Sequence, residues 1–275
     1  MKETINCKGQ LIDLSTPRVM GILNITPDSF YDGGRYKNES DILSQVYVML
    51  KEGATFIDIG AYSSRPNAID VTENEELQRI LPILNLVLKE FPEALISIDT
   101  FRSEIAKQCI TNGAALINDI SAGALDNKML QTVANLKVPY IMMHMRGTQQ
   151  TMQKLTHYDN LVQDILFYFS ERIASARALG IIDLIVDPGF GFAKTIDQNF
   201  ELLNHLDLFK MLELPLLVGI SRKSMIYKTL KNTPKDALNG TTVLNTLALQ
   251  EGAKILRVHD VKEASECIKL LNQLK

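Results

Sequence analysis

The sequence predicts an α/β fold, a closed (β/α)8 barrel of eight parallel strands. Eight short apolar runs alternate with stretches of helical periodicity along the 275 residues. No linker, low-complexity segment or charge block divides them, so we expect one domain over residues 1–275. Alternating strands and helices imply parallel strands with right-handed crossovers, and eight such units fit a closed barrel. A doubly wound sheet is the alternative, but its Gly-x-Gly-x-x-Gly turn after the first strand is absent.

The predicted strands are short runs rich in β-branched and other apolar residues: Val19–Leu23, Phe56–Ile59, Leu95–Ile98, Ala115–Ile117, Pro139–Met143, Ile181–Val186, Leu214–Val218 and Lys254–Val258. Helical periodicity predicts helices near residues 40–50, 73–90, 126–136, 159–179 and 236–250, one before 214, and others starting near 103 and 261. Ahead of the first strand, the loosely alternating segment from Ile5 to Leu14 turns at Lys8-Gly9. It predicts a short hairpin that closes the bottom of the barrel.

Composition limits the classes of function. Hydrophobic residues make up 46% of the chain, which is enough for a sizeable core, and the net charge is only −3. There is no global basic field for nucleic acid or a membrane surface, and no apolar run long enough to span a bilayer. The three cysteines, Cys7, Cys109 and Cys267, lack CxxC spacing and are interpreted as reduced thiols. We therefore expect a cytoplasmic protein that binds neither nucleic acid nor a membrane.

The loop from Asp187 to Lys194 is the most informative stretch, because a carboxylate ends a buried strand there. The loop holds a proline, two glycines and two phenylalanines. Proline and glycine end the strand and bring backbone close to whatever lies beside it. A buried carboxylate needs hydrogen-bond donors, so Asp187 either caps its own loop or belongs to a site. Polar residues that end the other predicted strands favour a site.

The carboxyl ends of barrel strands meet on one face, so the residues that follow the strands would share one mouth. Asp99, Asn118 and Asp187 supply acceptors and one amide, a set that suits a flat heterocycle with adjacent N–H donors. Lys223 suits the acceptors of the same ring. A phosphate or pyrophosphate is bound well by cations, a hydroxyl and amides. The residues that supply such groups in this sequence are Asn24, Ser64, Arg65, Arg257 and His259. Asn24 is also an oxygen ligand suited to Mg²⁺.

Each of these residues also has a structural interpretation. Arg257 alone is compatible with a solvated or helix-capping arginine, and His259 with an ordinary hydrogen-bonding group. Phe190 and Phe192 either cover the rim or form one wall of a slot for a planar ligand. Met143 either fills the core or lies under a ring. Their coincidence at one predicted mouth is what favours a binding site.

Four runs resemble the dihydropteroate synthase family, pterin-binding TIM barrels of folate biosynthesis. The runs are GILNITPDSF at residues 21–30, DPGFGF at 187–192, SRKS at 221–224 and RVHD at 257–260. The resemblance implies a transferase that condenses 6-hydroxymethyl-7,8-dihydropterin pyrophosphate with p-aminobenzoate. The products would be 7,8-dihydropteroate and pyrophosphate, and Mg²⁺ would assist. It also implies a homodimer formed through helices on the outer wall.

Carried over position by position, the resemblance assigns side chains to each part of this reaction. The pterin pocket falls on Asp99, Asn118, Met143, Asp187, Lys223 and Arg257. The pyrophosphate anchors fall on Ser64, Arg257 and His259, and the Mg²⁺ contact on Asn24. The p-aminobenzoate side falls on Phe30, Ser64, Pro66, Phe192, Ser221 and Lys223. The catalytic residues would be Asp32, Asp187 and Lys223, with Phe30 and Asp32 in a loop that closes over the pterin.

The expected chemistry is a dissociative, SN1-like displacement. The leaving pyrophosphate gains negative charge, which Arg257, His259 and Mg²⁺ would neutralise. Positive charge spreads into the dihydropterin, where Asp187 and Asp32 would stabilise it. No strong general base is needed, because an aniline nitrogen is already nucleophilic, and loop closure would exclude water.

One departure from the family pattern and two alternative functions remain to be weighed. The second loop departs from the family pattern, with Tyr62 at a usually acidic position, Ser64 for threonine and Asn67 for glycine. The alternative functions are a pterin-dependent methyltransferase domain and a non-catalytic pterin-binding barrel. A methyl carrier has no use for a pyrophosphate site, and a non-catalytic barrel has no need of the anion-binding residues. A metal-dependent hydrolase is disfavoured, because no His-x-His follows the first strand and the chain has four histidines.

Overall fold

The computed structural model describes residues 3–25, 31–32, 35–36, 39–61 and 71–274. Its strands, in chain order, are β1 (Thr4–Cys7), β2 (Gln10–Asp13), β3 (Arg18–Asn24), β4 (Tyr31–Asp32), β5 (Arg35–Tyr36), β6 (Ala54–Gly60), β7 (Leu95–Asp99), β8 (Leu116–Asp119), β9 (Tyr140–Met143), β10 (Leu184–Asp187), β11 (Leu217–Val218) and β12 (Ile255–Val258). All eight predicted strands are present, and each overlaps its predicted span.

Within the described ranges, the α-helices are α1 (Glu39–Lys51), α2 (Glu73–Glu90), α3 (Ser103–Thr111), α4 (Met129–Leu136), α5 (Leu161–Ala178), α6 (Ile196–Asn204), α7 (Ser224–Tyr227), α8 (Leu238–Gln250) and α9 (Val261–Leu271). Short 3₁₀ segments lie at Met152–Lys154, Leu206–Leu212, Pro234–Asp236 and Asn272–Leu274. Capping boxes begin two of the helices. Thr72 and Glu75 start α2, and Thr195 and Gln198 start α6.

Parallel pairing runs through eight strands in the order β10-β9-β8-β7-β6-β3-β12-β11. A parallel bridge between Val186 and Leu216 joins the two ends of this order, and the amide of Val186 donates to the carbonyl of Pro215 at 3.0 Å. The sheet therefore closes on itself with each strand beside its sequence neighbour. The predicted barrel is confirmed, and the doubly wound alternative is wrong.

The N-terminal hairpin closes one end of the barrel, as predicted. β1 and β2 pair antiparallel, with Ile5 opposite Ile12. Their buried side chains form one cluster with the interior residues near the amino ends of the barrel strands, including Phe56 and Ile141. The polar ends of the strands are thereby left at the opposite, open end.

Several element boundaries differ from the prediction by a few residues, and two of these differences have identifiable reasons. β10 begins at Leu184 rather than Ile181, because Ile182 is 76% exposed and the Asp183 carboxylate accepts from the amide of Asn6 at 3.2 Å. α4 begins at Met129 rather than near 126, because the Asp126 side chain accepts from the amide of Lys128, just ahead of the helix, and from the amide of Ser103 at the start of α3. Among the described residues, no helix is both long and apolar enough to cross a membrane.

Candidate active site

The open end of the barrel gathers the polar side chains predicted for the pterin pocket. The guanidinium of Arg257 donates to Asp99 Oδ2 at 2.9 Å, which joins β12 to β7. A Cβ on Gly219, just after β11, would stand 3.9 Å from both Arg257 Cβ and Asp187 Oδ2. Asp187 and Arg257 therefore lie beside the same glycine, which leaves room between them.

Asp58 is a residue of this mouth that the sequence interpretation missed. It lies inside β6 and is fully buried. Its Oδ2 accepts from Arg257 Nε at 2.6 Å and from Asn118 Nδ2 at 3.0 Å, so one carboxylate oxygen orients side chains from β12 and β8. Burial tends to lower the pKa of Arg257, but the nearby carboxylates of Asp58 and Asp99 outweigh it and raise that pKa. The signal that reveals Asp58 in the sequence is a single carboxylate within an apolar strand.

Asp187 ends β10 and is 6% exposed. The amide of Gly189 donates to its Oδ1 at 2.8 Å, so the predicted capping of its own loop is real and coexists with a place in the mouth. Burial raises the pKa of Asp187, and the positive charges of Lys223 and Arg257 oppose that rise. A carboxylate in this position accepts strong hydrogen bonds from a bound ligand, because little water competes for it.

Lys223 lies between the charged residues of the mouth and the aromatic residues of the loop from Asp187 to Lys194. Its Nζ donates to the carbonyl of Phe190 and lies 4.5 Å from the centroid of the Phe192 ring. Burial lowers the pKa of Lys223 from 10.5 to about 8, and Asp187 opposes that fall. Phe192 is only partly buried and packs against a cluster that contains Met143, which is 4% exposed. The aromatic and thioether groups thus lie next to the charged ones.

Ser221 and His259 form a pair between the ends of β11 and β12. Ser221 Oγ lies 2.9 Å from His259 Nδ1 and accepts from the main-chain amide of His259 at 3.2 Å. When the hydroxyl donates to Nδ1, the proton of the neutral ring lies on Nε2, where it can be donated to an anion. Arg222 and Asp260 fix the two loops through hydrogen bonds of 2.8 and 2.7 Å.

The remaining predicted residues are less completely described. Asn24 ends β3 and is partly exposed, with Gly60 as its partner in the adjacent strand. Asp32 lies in a two-strand ladder opposite Arg35, and its side chain lies outside the description. Phe30, Ser64 and Pro66 lie outside the described residues, as do Tyr62 and Asn67.

Comparison with known proteins identifies the family. The model of the pterin binding enzyme family matches residues 20–259. Dihydropteroate synthase of Escherichia coli K12 is 42% identical over 266 residues, covering 96% of this chain and 94% of its own. The chain belongs to the dihydropteroate synthase family. It is accordingly an enzyme, a transferase of folate biosynthesis.

Solved structures of dihydropteroate synthases share the whole fold. The Yersinia pestis enzyme in a sulfonamide drug complex has a TM-score of 0.93 at 41% identity, covering 98% of both chains. The Xanthomonas albilineans enzyme in complex with 7,8-dihydropteroate has a TM-score of 0.88 at 35% identity, again covering 98% of both chains. The dihydropteroate synthase resemblance drawn from the four sequence runs is thus confirmed, and the two alternative functions lose their support.

Proposed function

We propose that this mouth condenses 6-hydroxymethyl-7,8-dihydropterin pyrophosphate with p-aminobenzoate to give 7,8-dihydropteroate. The observation that supports this most strongly is the convergence of Asp187, Asp99, Asn118, Lys223 and Arg257 at the open end of a barrel of this family. The bond from the methylene carbon to pyrophosphate oxygen breaks first, and the amine nitrogen then forms a bond to that carbon. The amine then releases a proton to solvent.

The pterin ring is assigned to Asp99, Asn118, Met143, Asp187, Lys223 and Arg257. Carboxylates accept from the N–H edge of a pterin, and an ammonium donates to its ring acceptors. Asp187 also stabilises positive charge that develops on the ring during an SN1-like step. In this proposal Asp187, Lys223 and Asp32 are the catalytic residues, with Asp32 brought in by its loop.

The pyrophosphate is assigned to Ser64, Arg257 and His259. Two of the five N–H donors of Arg257 are engaged by Asp58 and Asp99, so a guanidinium in this place can still donate to an anion. The assignment of p-aminobenzoate includes Phe192, Ser221 and Lys223, which lie close together through the Lys223 contacts, together with Phe30, Ser64 and Pro66. Ser221 orients His259 as well, so it would serve both substrates.

The donor set limits the role of a metal. No group of three or more His, Cys, Asp or Glu side chains suited to a metal occurs within the described ranges. Asn24 offers one oxygen, and Mg²⁺ commonly takes one or two protein ligands with waters and phosphate oxygens. The residues therefore fit a Mg²⁺ ion that arrives with the pyrophosphate substrate. When bound, the ion would neutralise charge on the pyrophosphate.

We also propose that the protein is a homodimer, that it is cytoplasmic and that it forms a single domain. Phe167, Leu208 and Met211 are large apolar side chains that are 64%, 44% and 69% exposed around one groove beside α5. Such a patch suits a homodimer interface on the outer wall. Three buried cysteines without disulfides suit a cytoplasmic protein. One continuous core around the barrel suits a single domain over residues 1–275.

Release of pyrophosphate tests this function. The purified protein is mixed with Mg²⁺ and the pterin pyrophosphate, with or without p-aminobenzoate, and dihydropteroate is followed by mass spectrometry. Pyrophosphate and dihydropteroate should form in equal amounts only when all components are present. Asp187→Asn should lower kcat/KM by about 100-fold or more, whereas Asp207→Asn, at an exposed position, should not. Pyrophosphate release that is indifferent to p-aminobenzoate would contradict the proposal.

A further inference from the structure

A buried lysine lies beneath the loop that carries Asp187 and Phe192. Lys194 is 6% exposed, and its Nζ lies 3.1 Å from His144 Nδ1. The same nitrogen donates to the carbonyl of Gly189 at 2.9 Å and to that of Phe192 at 3.1 Å. The side chain therefore folds back under its own loop and ties both ends of it to the residue that follows β9.

The loop has little room to move relative to that residue. A Cβ on Gly189, at φ +75°, would stand 2.1 Å from the carbonyl oxygen of His144. Farther along the loop, the amide of Gly191 donates to Asn199 Oδ1 at 2.6 Å, and the Tyr158 hydroxyl donates to the carbonyl of Ala193 at 2.9 Å. Together with Asn199 and Tyr158, Lys194 forms a framework of side-chain hydrogen bonds to the backbone of this loop.

This framework ends on a residue of the proposed site. The carbonyl of Phe190 accepts from Lys223 Nζ, and the Phe192 ring lies under the same ammonium. The two carbonyls that accept from Lys194, those of Gly189 and Phe192, lie on either side of Phe190 in the sequence. A shift of the loop would therefore displace the main-chain acceptor and the aromatic face that together place Lys223.

The charge of Lys194 also bears on Asp187. Three acceptors surround Nζ, which matches the three N–H donors of an ammonium. Burial lowers the pKa of His144 well below its usual value, so the ring is neutral and its Nδ1 can accept. Burial lowers the pKa of Lys194 to about 7, while Asp187 raises it, and Lys194 in turn helps to lower the pKa of Asp187.

We propose that Lys194 is a positioning residue for the reaction proposed above: it fixes the loop from Asp187 to Phe192, and through that loop it sets Lys223 and Phe192 against p-aminobenzoate. Within the described part of the chain, the hydrogen bonds of Nζ all join it to the loop and to His144, so Lys194 acts through other residues rather than on the substrates themselves. The part of this inference that names p-aminobenzoate rests on the proposed function. The part that says Lys194 fixes the loop does not.

Lys194→Met tests the inference, with Lys107→Met at an exposed position of α3 as the matched control. Methionine keeps the apolar stem and removes the three hydrogen bonds. KM for p-aminobenzoate should rise about tenfold, since hydrogen bonds from a charged group are lost. The acid limb of the kcat/KM profile should move to higher pH, because Asp187 loses a nearby positive charge. The control should change neither quantity.

Hydrogen exchange separates failure of the inference from failure of the proposed function. In Lys194→Met the amides of residues 189–192 should exchange faster than in the wild type, whether or not the protein makes dihydropteroate. A variant that loses thermal stability but keeps the wild-type KM, pH profile and loop exchange would overturn the inference. If Lys194→Met does not fold, His144→Leu removes one of the three acceptors but keeps the charge of Lys194. It should raise the KM for p-aminobenzoate and speed the exchange of the loop amides without moving the acid limb, and unchanged values of both would also overturn the inference.

Discussion

Oδ2 of Asp58 lies 2.6 Å from Nε of Arg257, although 199 positions separate the two residues in the sequence. The same oxygen accepts from Asn118, so β6, β8 and β12 are joined at one point inside the barrel. The second oxygen, Oδ1, is buried and has no hydrogen-bond partner among the described residues. An unsatisfied buried oxygen destabilises the fold, which indicates that Asp58 is kept for the orientation of its two neighbours.

Asp58→Asn should therefore impair the pterin side of the site. With the amide oxygen in the place of Oδ2, both donors keep an acceptor, but the guanidinium loses a charged partner and the new NH2 group takes the buried place of Oδ1, which has no hydrogen-bond partner among the described residues. We expect kcat/KM for the pterin substrate to fall by about 10- to 100-fold, the equivalent of one charged hydrogen bond of about 1.5–3 kcal/mol. Steady-state kinetics against both substrates measures this, with Asp207→Asn as the exposed control. A fall in kcat/KM for p-aminobenzoate alone would argue against the assignment.

The titration of Lys223 predicts an alkaline limit to activity. Its pKa is lowered from 10.5 to about 8 by burial, so the ammonium is present below that pH and is lost above it. If the ammonium donates to the pterin, kcat/KM should decrease about tenfold per pH unit above pH 8, well before an ordinary lysine titrates. The pH profile of Lys223→Arg should lack this limb, because arginine stays charged. Activity in the wild type that is level up to pH 10 would contradict the role.

The barrel is predictable from sequence because its signals are local. Each strand is a short apolar run, and each helix has its own period and, as with Thr72 and Glu75, its own cap. The polar residues at strand ends, such as Asp99 and Asp187, are likewise visible, since the topology brings all strand ends to one face. The resemblance of four runs to the dihydropteroate synthase family then predicts their roles.

Asp58 and Lys194 are harder to predict, because their roles depend on neighbours far away in the sequence. Asp58 looks like an anomaly within a strand until Arg257 and Asn118 are placed beside it. A lysine at the end of a loop is usually exposed to solvent. Lys194 is instead buried against His144, which lies 50 positions away. The roles of Phe30, Ser64 and Pro66 stay predictions, since these residues lie outside the part of the chain described here.

Gly189→Ala should be far more harmful than the same change at another glycine of positive φ. At Gly180, with φ +84°, an added Cβ meets no atom of the described residues within 4 Å, so only the backbone conformation opposes it, at about 1–2 kcal/mol. At Gly189 the Cβ would overlap the carbonyl oxygen of His144. We expect Gly189→Ala to lower the free energy of unfolding by about 3 kcal/mol or more and to impair catalysis. Urea unfolding and kinetics of the pair measure both effects, and equal losses would show that the loop is not held against His144.

The hairpin at the bottom of the barrel should contribute to stability without affecting the chemistry. Leu14 is fully buried in the cluster that fills this end, whereas Leu11 on the same hairpin is 70% exposed. Leu14→Ala should lower the free energy of unfolding by about 2–5 kcal/mol, because it leaves a cavity in a packed core, and Leu11→Ala should change it little. Since the hairpin lies at the end opposite Asp187 and Arg257, kcat and both KM values of folded Leu14→Ala should match the wild type. Urea titration combined with kinetics at low temperature tests this separation. If KM for either substrate changes under conditions in which all of the variant is folded, the two ends of the barrel are coupled.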